Sequence, residues 1–112
     1  MLPRRRKLSH ASFPSYKEPR RQWDGAILRI SCYPRKNTEK TEKFAVTISK
    51  KTAKSAVARN RLKRRVFSVI EEHYAAFSRR SFGRYVISVK AFTKEPSFLQ
   101  IAREIKDFLE TT

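Results

Sequence analysis

Residues 50–65 read KKTAKSAVARNRLKRR: eight cations (Lys50, Lys51, Lys54, Arg59, Arg61, Lys63, Arg64 and Arg65), one asparagine, Asn60, between two arginines, and no acid. Cations at that density suit one kind of chemistry, neutralising a row of phosphates and releasing its counterions. Asn60 then bonds to ribose or base edges, or orients its neighbours, without adding repulsion. The chain offers little for other chemistry. Metal-assisted hydrolysis wants clustered carboxylates, yet the two aspartates, Asp24 and Asp107, stand far apart and the glutamates avoid the basic run. General acid–base cleavage wants histidine. His73 falls on an apolar helical stripe and reads as a core residue, whereas His10 lies in a basic arm with no evident partner. Cys32 is the sole cysteine, so there is neither an internal disulfide nor a Cys-based zinc site, and a reducing compartment is the simplest assumption. No catalytic residue and no metal ligand is assigned.

The whole composition points the same way. In 112 residues, 27 Lys and Arg oppose 10 Asp and Glu, for a formal charge of +17. Such a balance calls for a polyanionic partner. The charge is uneven, +16 over residues 1–65 and +1 over 66–112, so the binding surface is mostly in the first part. The length fits one domain, 1–112, of which about 1–20 is a basic arm. With two glycines and no internal repeat, a Gly-rich phosphate loop and a solenoid are excluded. Neither a signal peptide nor a membrane span is visible, and the apolar stripes are needed for a core, which leaves none for lipid. The expected location is the cytoplasm.

Periodicity supplies the elements that must hold the basic run. AILRISCY (26–33) alternates, with Leu28, Ile30 and Cys32 on one side and Arg29, Ser31 and Tyr33 on the other, and FAVTIS (44–49) alternates again. These two strands are expected to pair as a hairpin across the polar connection 34–43. From about Lys54 to Ala76 the period becomes helical, with Leu62, Val66, Val69, Ile70, His73 and Phe77 on one stripe. GRYVISVKAF (83–92) returns to alternation. Ser97 and Gln100 then have the spacing of a capping box ahead of a second helix, with Phe98, Ile101, Ala102, Ile105, Phe108 and Leu109 on its stripe. A short helix near Ser12–Lys17 and a short strand at Arg21–Trp23 complete the order αβββαβα. This is an α+β two-layer sandwich: a four-stranded sheet, two long helices on one face, and the other face, with Arg29, Ser31, Thr47, Ser49, Ser88, Lys90 and Phe92, open to a ligand.

On the helix, Asn60, Arg61, Arg64 and Ser68 lie opposite the apolar stripe. A charged helical face is ordinarily just solvated. Here the cations occupy the N-terminal half, where the macrodipole disfavours each by about 0.3–1 kcal/mol, and no acid occurs between Glu42 and Glu71. Stability did not place them. Phe67 points away from the stripe, beside Arg64, to stack on a base or to pack under a loop.

The string Ser49-Lys50-Lys51, Ala56-Val57, Arg59-Asn60-Arg61, Lys63-Arg64, running from a strand end into a helix, resembles the signature of the bacterial ribonuclease P protein component. The flanks agree: a basic start with Leu8, the aromatics Phe13 and Tyr16, a strand ending at Tyr33, Phe44 opening the next, and Gly83 before the last. The chain departs from the family at Ala45, where Gly is common, at Phe67-Ser68, in place of Arg-Glu, and at Tyr85, in place of Asp. The resemblance implies a small protein bound to a large catalytic RNA, together removing the 5′ leader of precursor tRNA. In that arrangement the RNA does the Mg²⁺-dependent chemistry, the protein alone is inactive, and the protein holds no cofactor. The implied fold is an αβββαβα sandwich with a left-handed crossover, like one ribosomal protein domain. Carried over by position, Lys50, Lys51, Lys54, Arg59, Asn60, Arg61, Lys63, Arg64 and Arg65 meet the catalytic RNA, and Phe13, Tyr16, Arg29 and Lys90 line a leader cleft.

Two other readings share the composition. A non-enzymatic RNA binder, a ribosomal protein or RNA chaperone, would show the same charge and open sheet, and only the basic string separates them. DNA binding is disfavoured because the pattern is no helix-turn-helix.

Overall fold

In a computed structural model of the chain, residues 20–34, 42–79, 82–92 and 94–111 are described. The expected helix near Ser12–Lys17, Phe13, Tyr16 and most of the 34–43 connection lie outside them. The elements are β1 (Arg21–Asp24), β2 (Leu28–Pro34), β3 (Lys43–Thr47), α1 (Ala56–Glu72), α2 (Tyr74–Ser78), β4 (Phe82–Val89) and α3 (Phe98–Thr111).

The four strands form one mixed sheet in the order β1-β2-β4-β3. The expected β2–β3 hairpin does not form: β4 lies between them, antiparallel to β2 and parallel to β3. Parallel neighbours need a crossover, and the helical segment between β3 and β4 provides it. The apolar content of β4 explains its central place. Tyr85, Ile87 and Val89 are buried on one side, and Arg84 and Val86 on the other, so its residues are better satisfied between two strands than at an edge.

Register aligns the inward side chains: Ile87 lies beside Ile30 and Val46, and Tyr85 beside Cys32 and Phe44. Onto this face pack Leu62, Val66, Val69 and Ile70 of α1 and Ile101, Ile105 and Phe108 of α3, in one core. Phe44 stacks on Tyr85 at 5.2 Å, and Phe77 meets both rings edge-on at 5.1 Å. Tyr85 also donates its hydroxyl to the Phe77 carbonyl at 3.1 Å. The family departure at Tyr85 is thus a core residue.

Three further expectations are corrected. The helix expected over 54–76 is broken at His73, where φ −109° and ψ 16° leave the helical region and start α2; His73 is half-buried at that break. Phe98 is exposed, because the buried stripe of α3 begins one turn later at Ile101. The second sheet face is open only at one end: Ser31, Tyr33, Arg84 and Val86 are buried, whereas Arg29 and Thr47 are exposed.

Candidate nucleic-acid interface

The basic run begins where β3 ends. Ser49 accepts from the amides of Thr52 and Ala53 at 3.1 Å through its carbonyl, and its hydroxyl lies 3.0 Å from that of Thr52. This closes a tight turn that exposes Lys50 and Lys51. Ser55 then caps α1, its hydroxyl accepting from Val57 and Ala58 at 3.1 and 3.2 Å. The cap, in extended geometry at φ −83° and ψ 135°, satisfies amides that the sequence could not supply with an acid, since the first turn has none.

Along α1 the cations divide. Arg59 turns back, its Nη1 donating to the carbonyls of Ala53 and Lys54 at 2.8 and 3.0 Å. Arg61 grips Glu95 with Nε and Nη2 at 2.9 and 2.7 Å. Arg65 donates from Nη1 to the same carboxylate and to the Pro96 carbonyl, both at 2.8 Å. Lys50, Lys51, Lys54, Asn60, Lys63 and Arg64 make no side-chain hydrogen bond or ion pair among the described residues. The run has no acid near it in the sequence, yet the fold brings it a counter-charge from a distance. Glu95 supplies it, and a residue 30 positions beyond Arg65 gives no local signal in the sequence. The two arginines hold its carboxyl down at about 2, against an ordinary 4.5, chiefly through the Arg61 hydrogen bond.

Phe67 is buried in the core cluster, which corrects the possibility that it offers an outward ring for stacking. The apolar group actually exposed on the outer face of α1 is Val57, at 70% exposure, one and two turns before Arg61 and Arg64.

The open end of the sheet forms a second basic region. Arg29, Thr47, Ser49, Ser88 and Lys90 are among the residues lining a depression of about 600 Å³. The Thr47 and Ser88 hydroxyls are 2.7 Å apart across the parallel pair. Asp24, unassigned by sequence reasoning, organises this end: it accepts from Arg29 Nε at 2.7 Å and pairs with Lys90 Nζ at 3.2 Å. Those two hydrogen bonds, Arg29's first, hold its carboxyl below the usual carboxylate range. Lys90 also donates to the Gly25 carbonyl at 2.8 Å. The turn behind them is tied to α3 by Glu104, which accepts from the Ile27 and Leu28 amides at 2.9 and 3.0 Å. Ser49 belongs to both regions, so the depression runs directly into the Lys50–Lys51 turn. Arg29 and Lys90 thus come together as the sequence suggested, while Phe13 and Tyr16 lie outside the described residues.

Among the described residues no three His, Cys, Asp or Glu side chains are grouped to hold a metal ion, and no helix is long and apolar enough to cross a membrane. The arrangement is suited to binding an anionic polymer. The family described as Ribonuclease P matches residues 2–112. No curated protein matches the chain. Among solved structures, the RNase P protein of Staphylococcus aureus superposes with a TM-score of 0.67 at 18% identity, covering 81% of this chain and 79% of that one. At that identity the likeness is one of fold.

Proposed function

Because the chain belongs to the ribonuclease P family, as its protein component, we propose that it meets the catalytic RNA with the outer face of α1 and the preceding turn. In this reading the open end of the sheet holds the 5′ leader of precursor tRNA. The observation that carries the reading is that the Arg29–Lys90 depression includes Ser49, the residue that opens the exposed Lys50–Lys51 turn leading into the cation-bearing helix α1. A phosphate backbone is the partner whose charges repeat to match such a series of cations.

The two basic regions suit different strands. Around α1, cations fixed to a rigid helix match the fixed phosphate positions of folded RNA. At the sheet, hydroxyls and two cations follow a single strand with little demand on its sequence, as leaders of differing sequence require. The protein's carboxylates near these cations are spent on them, Asp24 on Arg29 and Lys90, Glu95 on Arg61 and Arg65. Hydrolysis is assigned to the RNA and its Mg²⁺ ions, and the protein acts in the cytoplasm by holding both RNAs in place.

Precursor tRNA incubated with the purified protein, with a bacterial ribonuclease P RNA, and with both tests this directly. Cleavage at the 5′ end is expected with the RNA, and at lower Mg²⁺ when the protein is added, because its cations replace part of the ionic screening. Specific 5′ cleavage by RNA-free protein that survives repurification would overturn the division of labour.

A further inference from the structure

Glu95 is a feature of the basic helix α1 surface that an RNA-binding role does not by itself explain. It places a carboxylate against two arginines of the run, where it would repel an approaching phosphate. Its geometry is that of a phosphate in an arginine fork: Arg61 donates through Nε and Nη2 to the two carboxylate oxygens at 2.9 and 2.7 Å, and Arg65 adds a third bond at 2.8 Å. Planar two-point donation of this kind serves carboxylate and phosphate alike.

We propose that Glu95 is a built-in substitute for an RNA phosphate, occupying the Arg61–Arg65 fork in the free protein and giving way to a backbone phosphate on assembly. The proposal rests on the assignment of the outer α1 face to RNA. Three features of the site support it. The fork lies at the surface, with the Arg61 side chain 48% exposed, on the same outer face as Arg64. Glu95 belongs to the non-helical segment between β4 and α3, so it can withdraw without unravelling an element. Arg65 also donates to the Pro96 carbonyl at 2.8 Å, a bond that does not use the Glu95 carboxylate, so withdrawal of that side chain alone leaves Arg65 held. Occupied by Glu95, the two arginines neither repel each other nor capture arbitrary anions. Vacated, they add a phosphate contact reserved for a ligand that the remaining cations already hold.

The test is the salt dependence of binding between the full chain and an in vitro transcribed bacterial ribonuclease P RNA. It compares wild type, Glu95→Gln, Arg61→Ala, the double variant and Arg64→Ala. Glu95→Gln is expected to bind several-fold tighter at moderate salt, since no anion need be displaced. Arg61→Ala should lower the salt slope by about one unit, and Glu95→Gln should give no gain in the Arg61→Ala background. Thermal melts establish that each variant is folded, and Glu95→Ser, with no amide to hold the fork, provides a second reading of the same loss. Weaker binding by folded Glu95→Gln and Glu95→Ser would overturn the proposal, showing that the carboxylate merely pre-aligns the arginines. Unchanged binding by both, with Arg64→Ala still lowering the slope, would overturn it while leaving the α1 interface intact. An unchanged slope in every variant would remove the interface itself.

Discussion

Arg59 closes the turn ahead of α1 by bonding the Ala53 and Lys54 carbonyls, whereas Arg64, five positions later, is exposed and has no partner among the described residues. Identical side chains in one basic run therefore answer different experiments. Arg59→Ala is expected to lower stability by about 0.5–1.5 kcal/mol for each hydrogen bond lost, visible as a lower urea midpoint, and to weaken RNA binding through the disturbed Lys50–Lys51 turn. Arg64→Ala should leave stability within about 0.5 kcal/mol of wild type while reducing the salt slope of RNA binding by about one unit. Equal urea midpoints for the two variants would show that Arg59 is no brace. Glu95 gives a pH signature. Its carboxyl is ionised more readily in the folded chain, at about 2, than its ordinary 4.5. Its contribution to stability is therefore fully present above 4.5 and is lost as the pH falls through about 2. The stability gap between wild type and Glu95→Gln should thus be largest near neutrality and shrink in acid; a gap independent of pH would show that ionisation of Glu95 does not stabilise the fold. Solvent screening keeps the gap small, since the arginine partners are a quarter to a half exposed.

At the scale of elements, α1 is built against its own dipole, with no acid in the first turn and no base in the last. Its start depends accordingly on the Ser55 hydroxyl. Ser55→Ala should cost about 0.5–2 kcal/mol, measured by thermal or urea unfolding, and Ser55→Asp should recover that loss by adding a favourable charge. The helix and its apolar stripe were legible because burial repeats at 3.6 residues from Leu62 to Ile70, and the Ser97–Gln100 box because both reciprocal bonds of the motif are local. Strand partnership was not legible. Alternation in β2 and β3 states which side chains face inward, but carries no information on neighbours, and the decisive fact, burial of β4 on both faces, emerges only in the assembled sheet. The same limit hid Glu95 and Asp24. Each matters through a cation, and the 34-residue separation of Glu95 from Arg61 leaves no periodic trace. Lysines and arginines of the site could be nominated from their density alone; the acids that divide them into braces and free contacts required the fold.

Over the whole molecule, the two basic regions join at Ser49 but are positioned by different parts of the structure. The α1 face depends on the helix and its cap, whereas Arg29 and Lys90 depend on the β1–β2 turn, which Glu104 ties to α3. A double substitution at the sheet should consequently separate the two proposed RNA ligands. Arg29→Ala with Lys90→Ala removes two cations from the depression and leaves α1 and its turn untouched, so assembly with the catalytic RNA should be unchanged. Affinity of the holoenzyme for precursor tRNA bearing a leader of several nucleotides should fall, together with its salt slope by up to about two units. Affinity for mature tRNA, which has no leader to reach the sheet, should stay as in wild type. Glu104→Gln supplies the companion measurement: it keeps both cations but weakens the bonds that seat their turn, and a smaller loss confined to precursor is expected. Equal loss for precursor and mature tRNA would assign the sheet end to assembly or to the tRNA body instead of the leader, and that outcome would leave the proposed α1 contact with catalytic RNA standing, because no residue of α1 is altered.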